Sequence, residues 1–257
     1  WRGATLGIVG RGNIGSRLAR VAPALGMRVL VNDPPLERAG EPGPWADLET
    51  VLAGSDVVTL HVPLNNEGAD RTVHLVGEEQ LLTMKPEAVL INASRGPVVD
   101  NGALRDALED HRIGAAVLDV WEKEPLLDKR LMGRVDLATP HIAGYSMQGK
   151  LNGTRMVADA MARHFGLAFD WQPALPAPAS PVVDVAGAAT AEEQVERALL
   201  HTHAIGADDA ALRAGSAKEG DAFAAHFDGL RKGYPVRLEP TSYTVRGAGA
   251  QAAAMLR

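Results

Sequence analysis

Residues 1–15 read WRGATLGIVGRGNIG. Thr5 to Val9 form a short apolar run, the kind that makes a buried strand, and it leads straight into glycine. Gly10, Gly12 and Gly15 follow in the spacing G-x-G-x-x-G. Ile14, Leu18, Val21, Ala22 and Leu25 then recur at helical intervals, so the turn opens a helix over Ile14–Leu25. In such a turn Gly10 allows the tight bend, Gly12 lets a pyrophosphate approach the backbone, and Gly15 lets the helix pack on the strand. The N–H groups around Asn13 and Ile14, at the positive end of the helix, face the phosphates.

Outward from this turn, strands and helices alternate. Met27 to Val31 reads as a second strand, ended by Asn32-Asp33-Pro34-Pro35 as a stop. A short helix is expected over Asp47–Ala53, then strands at Val57–Leu60 and Val89–Ile91. A capped helix over Asn101–Asp110 follows, then strands at Ala115–Leu118 and Val135–Ala138, and a helix over Gly153–Phe165. The pattern predicts an α/β fold, a Rossmann-type doubly wound parallel sheet covered on both faces. Asp33 ends the second strand, where a carboxylate accepts hydrogen bonds from an adenosine ribose. It also repels a 2′-phosphate, which favours NAD over NADP. The alternative is a ligand-free glycine turn with Asp33 as a helix cap.

Composition changes after this region. The stretch WQPALPAPASP (171–181) holds four prolines and no charge, the signature of a stiff linker. The expected organisation is a dinucleotide-binding domain at 1–168, a linker at 169–181, and a smaller C-terminal α+β domain at 182–257 with a helix over Ala191–Leu200. With 257 residues there is enough chain to bury a real core. The net charge of −6 argues against nonspecific nucleic-acid binding. The lack of cysteine excludes disulfides and thiolate chemistry. No apolar run reaches the roughly 18 residues of a membrane helix. A cytoplasmic protein with neither membrane nor nucleic-acid partner is the expectation.

Ligands of open parallel sheets sit beyond the carboxyl ends of the strands. Charged residues that fall there are Arg95 in NASRG, Asp119, Glu122 and Glu124 in DVWEKEP, and His141 with Tyr145 in TPHIAGY. Taken singly, Arg95 reads equally as a surface arginine, Glu124 as a solvated loop acid and His141 as a turn histidine. Together they suit oxidation of a hydroxy acid. The guanidinium clamps a carboxylate, histidine takes the hydroxyl proton as hydride leaves, and an adjacent carboxylate stabilises the imidazolium. No metal is required. Asp119 either caps the next turn or contacts the nicotinamide riboside, and the cofactor reading is preferred.

Several dispersed motifs carry a resemblance. Gly10 to Gly15, MKPEAVLINASRGPVVDNGAL (84–104), AAVLDVWEKEP (115–125) and ATPHIAGYSMQGK (138–150) are similar to the NAD-dependent D-2-hydroxyacid dehydrogenases. The family implies catalytic roles for Arg95, Glu124 and His141. It implies an NAD site that also includes Ala93, Ser94, Arg95, Asp119 and Gly144, and substrate contacts from Arg95 and Tyr145. NDPP (32–35), HVPLNNEGADRTVHL (61–75) and the tail FDGLRKGYPVRLEPTSY (227–243) resemble a branch acting on a phosphorylated 2-hydroxy acid, with an extra C-terminal dimerisation domain. That branch implies a homodimer. Val62 stands where the family leads one to expect a threonine that contacts NAD. The resemblance also implies a substrate-domain segment before the glycine turn and a longer tail. The expectation is therefore an internal fragment that binds NAD and turns over poorly. A generic 2-hydroxyacid dehydrogenase and an NAD(H)-binding interaction module are the competing readings.

Overall fold

A computed structural model describes residues 1–256. Strand β1 (Thr5–Val9) turns through glycine into helix α1 (Gly15–Val21). The helix expected to run to Leu25 stops at Val21, and Ala22–Leu25 wind more tightly. Pro23 is the physical reason, because it lacks an N–H and its ring crowds the preceding turn. β2 (Arg28–Asn32) follows. The Asp33-Pro34-Pro35 stop starts a helix as well as ending the strand, giving α2 (Pro34–Arg38). The Leu36 N–H donates to Asp33 Oδ1 at 3.1 Å, and proline is tolerated in a first turn whose N–H groups have no helical partner.

The chain continues through α3 (Leu48–Gly54), β3 (Val57–Leu60), α4 (Glu78–Thr83), β4 (Val89–Asn92) and α5 (Asn101–Glu109). It then passes through β5 (Ala115–Leu118), α6 (Lys129–Met132) and β6 (Leu137–Ala138), the last shorter than the sequence pattern suggests. All six strands are parallel, in the order β2-β1-β3-β4-β5-β6. Ile8, Val58, Leu60, Leu90, Ala116 and Leu118 are fully buried, as parallel strands covered on both faces require. Each large aliphatic side chain buried there contributes about 1.5–3 kcal/mol. After β2 the chain crosses to the other side of β1. A crevice therefore opens at the carboxyl ends of β1 and β3, where the winding reverses.

The remaining elements are α7 (Met147–Phe165), β7 (Val182–Asp184), α8 (Ala191–Thr202), α9 (Ile205–Arg213), α10 (Gly220–Lys232), β8 (Thr244–Arg246) and α11 (Ala250–Met255). α7 begins at Met147 rather than Gly153, because Ser146 caps it: the Gly149 N–H donates to Ser146 Oγ at 2.9 Å. β7 and β8 pair in parallel, and Val183, Val185 and Ala198 of β7, its flank and α8 form a small core. The tail is thus α+β, with three helices (α9, α10 and α11) that the sequence reading did not separate.

The compact units do not follow the boundaries suggested by composition. One unit is 1–141 with 206–232, and the other is 142–205 with 233–257. Residues 206–232, expected in the C-terminal domain, pack with the sheet. Leu212, Phe223 and Phe227 are buried in the same core as Leu131, Met132 and Val135. The proline-rich segment lies inside the second unit rather than between the two. Among the described residues no helix is long and apolar enough to cross a membrane.

Candidate functional site

At the carboxyl end of β1, Gly10 adopts φ +92°, a left-handed conformation that side chains rarely take. A Cβ at Gly10 would lie 2.6 Å from the carbonyl oxygen of His61 at the end of β3. A Cβ at Gly15 would run into the Gly10 carbonyl, so α1 packs against the turn only because both positions are glycine. Gly12 differs from both: nothing lies within 4 Å of where its Cβ would be. The N–H groups of Gly12, Asn13, Ile14 and Gly15 have no protein acceptor among the described residues. Open space above Gly12 and donors at a helix start fit the phosphates of a dinucleotide.

A cavity of about 640 Å³ adjoins this turn, lined by Gly10, Gly12, Asp33, Trp45, His61 and Val62 among others. Asp33 is a helix cap as well as the end of the second strand. Its Oδ1 caps α2, while the Arg11 N–H donates to its Oδ2 at 2.7 Å. A carboxylate has about four acceptor sites, so two bonds hold it in place and leave capacity for ribose hydroxyls. Val62 keeps its place on the cavity wall without a hydroxyl to offer. His61 lies 2.9 Å from Thr59 Oγ1 through Nε2, and its burial pushes its pKa down.

Beyond β4, the fully buried Asn92 organises the loop that carries Ala93, Ser94 and Arg95. Its Oδ1 accepts from the Ser94 N–H and hydroxyl at 3.0 and 2.8 Å, and its Nδ2 donates to the Arg95 carbonyl at 3.0 Å. Arg95 is exposed. Its Nη1 donates to the Ser94 carbonyl at 2.7 Å, and the rest of the fork has no protein acceptor among the described residues. The guanidinium is thereby oriented and available to a bidentate carboxylate.

Beyond β5 and β6 the two remaining catalytic candidates meet. His141 Nδ1 lies 2.7 Å from Glu124 Oε2. The carboxylate can only accept, so Nδ1 carries the proton and the neutral ring keeps its lone pair at Nε2. Glu124 Oε1 accepts from the Trp121 N–H at 2.8 Å, which fixes the second oxygen. His141 is held at φ +56°, a strained conformation for a residue with a Cβ. The backbone around it is pinned from β5. The His141 N–H donates to the Asp119 carbonyl at 2.7 Å, the Thr139 hydroxyl to Asp119 Oδ1 at 2.6 Å, and Trp121 Nε1 to the Thr139 carbonyl at 3.0 Å. The side chains of His141 and Glu124 are 32% and 19% exposed, sheltered yet reachable.

Glu122 is not part of this pair. It lies 2.7 Å from His74 Nε2 and accepts from the Asn101 N–H at 3.1 Å, fastening the loop after β3 to the start of α5. Gly144 and Tyr145 belong to the second compact unit. There the Tyr145 ring meets Tyr234 edge-on at 5.8 Å and lies 4.4 Å from the Lys150 ammonium. Trp121, Thr139 and Asn92 escaped the sequence reading. Only Asn92 left a signal, as a short amide side chain at a strand end just before a turn.

A parallel sheet with a glycine-lined crevice and a carboxylate–histidine pair at one edge defines a dinucleotide-dependent oxidoreductase class. The chain belongs to the D-isomer specific 2-hydroxyacid dehydrogenases, since the model of that family's NAD-binding domain matches residues 1–143. A domain of unknown function matches residues 174–257. Erythronate-4-phosphate dehydrogenase of Edwardsiella ictaluri is 43% identical over 250 residues, covering 95% of this chain and 64% of the relative. The protein of the same name from Klebsiella pneumoniae is 41% identical over 261 aligned positions, covering 100% of this chain and 67% of the relative. The chain therefore spans about two thirds or slightly less of these relatives' length. Among solved structures, D-lactate dehydrogenase with NAD+ from Lactobacillus jensenii is similar at 33% identity and a TM-score of 0.54. That match covers 67% of this chain and 56% of the other.

Proposed function

We propose that the protein is an NAD-dependent dehydrogenase that oxidises 4-phospho-D-erythronate at C2 to 3-hydroxy-2-oxo-4-phosphobutanoate, a step toward pyridoxal 5′-phosphate. The observation that carries the chemistry is the 2.7 Å pairing of His141 Nδ1 with Glu124 Oε2 at the carboxyl edge of the sheet. When bound, NAD supplies the hydride acceptor. Gly12 and the N–H groups of Asn13, Ile14 and Gly15 hold its pyrophosphate, and Asp33 takes the adenosine ribose. Ala93, Ser94, Asp119 and Gly144 line the rest of its site. The Arg95 fork binds the substrate carboxylate and orients C2. His141 Nε2 accepts the C2 hydroxyl proton as the C2–H bond breaks, and Glu124 stabilises the resulting imidazolium. Tyr145 contacts substrate. The substrate itself is assigned from the names of the relatives above.

The enzyme acts in the cytoplasm as a homodimer assembled through its tail. The similarity to a D-lactate dehydrogenase keeps a generic 2-hydroxyacid dehydrogenase as the second reading. A substrate panel with NAD on the full-length protein tests the choice. NADH formation with 4-phospho-D-erythronate at least tenfold more efficient than with D-lactate, D-glycerate or 3-phospho-D-glycerate is expected. Preference for a non-phosphorylated acid would assign the second reading instead.

A further inference from the structure

We infer that Asp209 and Arg213, on α9 of the tail, are positioning residues for the histidine base. The inference rests on the reading of His141 as that base. β6 is the edge strand of the sheet and carries the chain into Thr139, Pro140 and His141. An edge strand has β-ladder partners on one side only, so the lateral position of its last residue is weakly fixed unless another element covers it. Here α9 covers it. The N–H of Ala138, the last residue of β6, donates to Asp209 Oδ1 at 2.7 Å. Arg213, one helical turn further on, donates through Nε to both Asp209 oxygens at 2.8 and 3.0 Å. The same guanidinium reaches the carbonyls that lead into the strand, Met132 at 2.5 Å through Nη1 and Val135 at 2.9 Å through Nη2.

The two side chains thus form one clasp on the segment from Met132 to Ala138. Arg213 orients Asp209, and Asp209 fixes the backbone three residues before His141. On the opposite side, that backbone is held by Asp119 and Trp121 of the β5 segment. His141 at φ +56° persists only while its surroundings hold it, and the clasp supplies the outer half of that restraint. A shift of about 1 Å in a proton acceptor costs a large part of its rate advantage. The part of the tail over 206–232 thereby acts on the chemistry of the sheet domain, in addition to whatever the tail does in assembly. Lys129, whose ammonium donates to the Lys218 carbonyl at 2.6 Å, fastens the far end of the same hairpin and belongs to its anchoring rather than to the clasp.

The test uses the full-length enzyme with NAD and 4-phospho-D-erythronate. Asp209→Ala should lower kcat about tenfold, with little change in the dissociation constant for NAD or in KM. Asp209→Asn, whose amide oxygen still accepts the Ala138 N–H, should recover most of the loss. If Asp209→Ala does not fold, Arg213→Lys carries the same expectation, because lysine cannot reach both carbonyls and the carboxylate together. An unchanged kcat in a folded Asp209→Ala enzyme would overturn the inference. So would a loss shared equally by kcat, NAD affinity and thermal midpoint with no recovery in Asp209→Asn, which would make the pair merely structural. His141→Ala separates the two readings: a large loss there with no loss at Asp209 removes only the clasp, whereas an unaffected His141→Ala enzyme removes the base as well.

Discussion

The two ends of the sheet's carboxyl edge solve the problem of holding a ligand in different ways. At β1 and β3 the work falls to the backbone. Gly10 and Gly15 bring chain segments closer than any Cβ allows, Gly12 leaves open space, and a row of N–H groups is left without protein partners among the described residues. At β5 and β6 side chains do it, in a net of hydrogen bonds that ties Asp119, Trp121, Glu124, Thr139 and His141 together. A site made of backbone tolerates little substitution but recognises only shape and charge. A site made of side chains carries a proton-accepting group, and its accuracy depends on residues that touch no ligand.

Substitutions at the two ends should therefore fail differently. The largest effect belongs to Glu124→Gln, which leaves His141 Nδ1 free to choose the wrong tautomer. We expect kcat to fall by about 10² to 10⁴ with the NAD dissociation constant unchanged, measured by steady-state kinetics beside equilibrium titration. At the other end, Gly10→Ala and Gly12→Ala should split. Gly10→Ala meets the His61 carbonyl and a φ of +92°, and should lower the unfolding free energy by about 1–3 kcal/mol in a denaturant titration. Gly12→Ala faces open space, so its unfolding curve should overlay the parent's while its affinity for NAD falls about tenfold or more.

That contrast also explains what was legible in the sequence. Gly10, Gly12, Gly15 and Asp33 fall within one continuous stretch, and steric need leaves a spacing that can be read directly. Arg95, Glu124 and His141 stand out as candidates because strand ends in a parallel sheet share one edge, although nothing local says that His141 and Glu124 touch. Trp121 and Thr139 were invisible. An indole N–H reaching a carbonyl 18 positions away leaves no pattern. That residues 206–232 pack with the sheet is illegible for the same reason, since their apolar face reads alike whether it packs on the tail or on the sheet.

A smaller effect separates the cap that Asp33 makes from the ribose contact proposed for it. Asp33→Asn keeps a side chain able to cap α2, so stability should barely change. Loss of the charge should narrow the preference for NAD over NADP several-fold, read as the ratio of kcat/KM values. The smallest effect is at His61. Burial favours its neutral form in the fold, so the unfolded chain binds the proton more readily. Its contribution to stability is complete above the ordinary value of about 6.5 and is lost as pH falls toward the depressed folded value. His61→Gln should therefore flatten the decline of unfolding free energy between about pH 7 and 5. An unaltered slope would show that His61 is not what links the crevice to pH.

The most direct test of the account is NADH formation by a His141→Ala variant of the full-length enzyme, with saturating 4-phospho-D-erythronate and NAD and with NAD binding titrated in parallel. Removal of the proton acceptor should leave the cofactor bound as before and slow NADH formation by about 10² to 10⁴. Turnover at the parent rate would contradict the proton transfer assigned to this edge of the sheet.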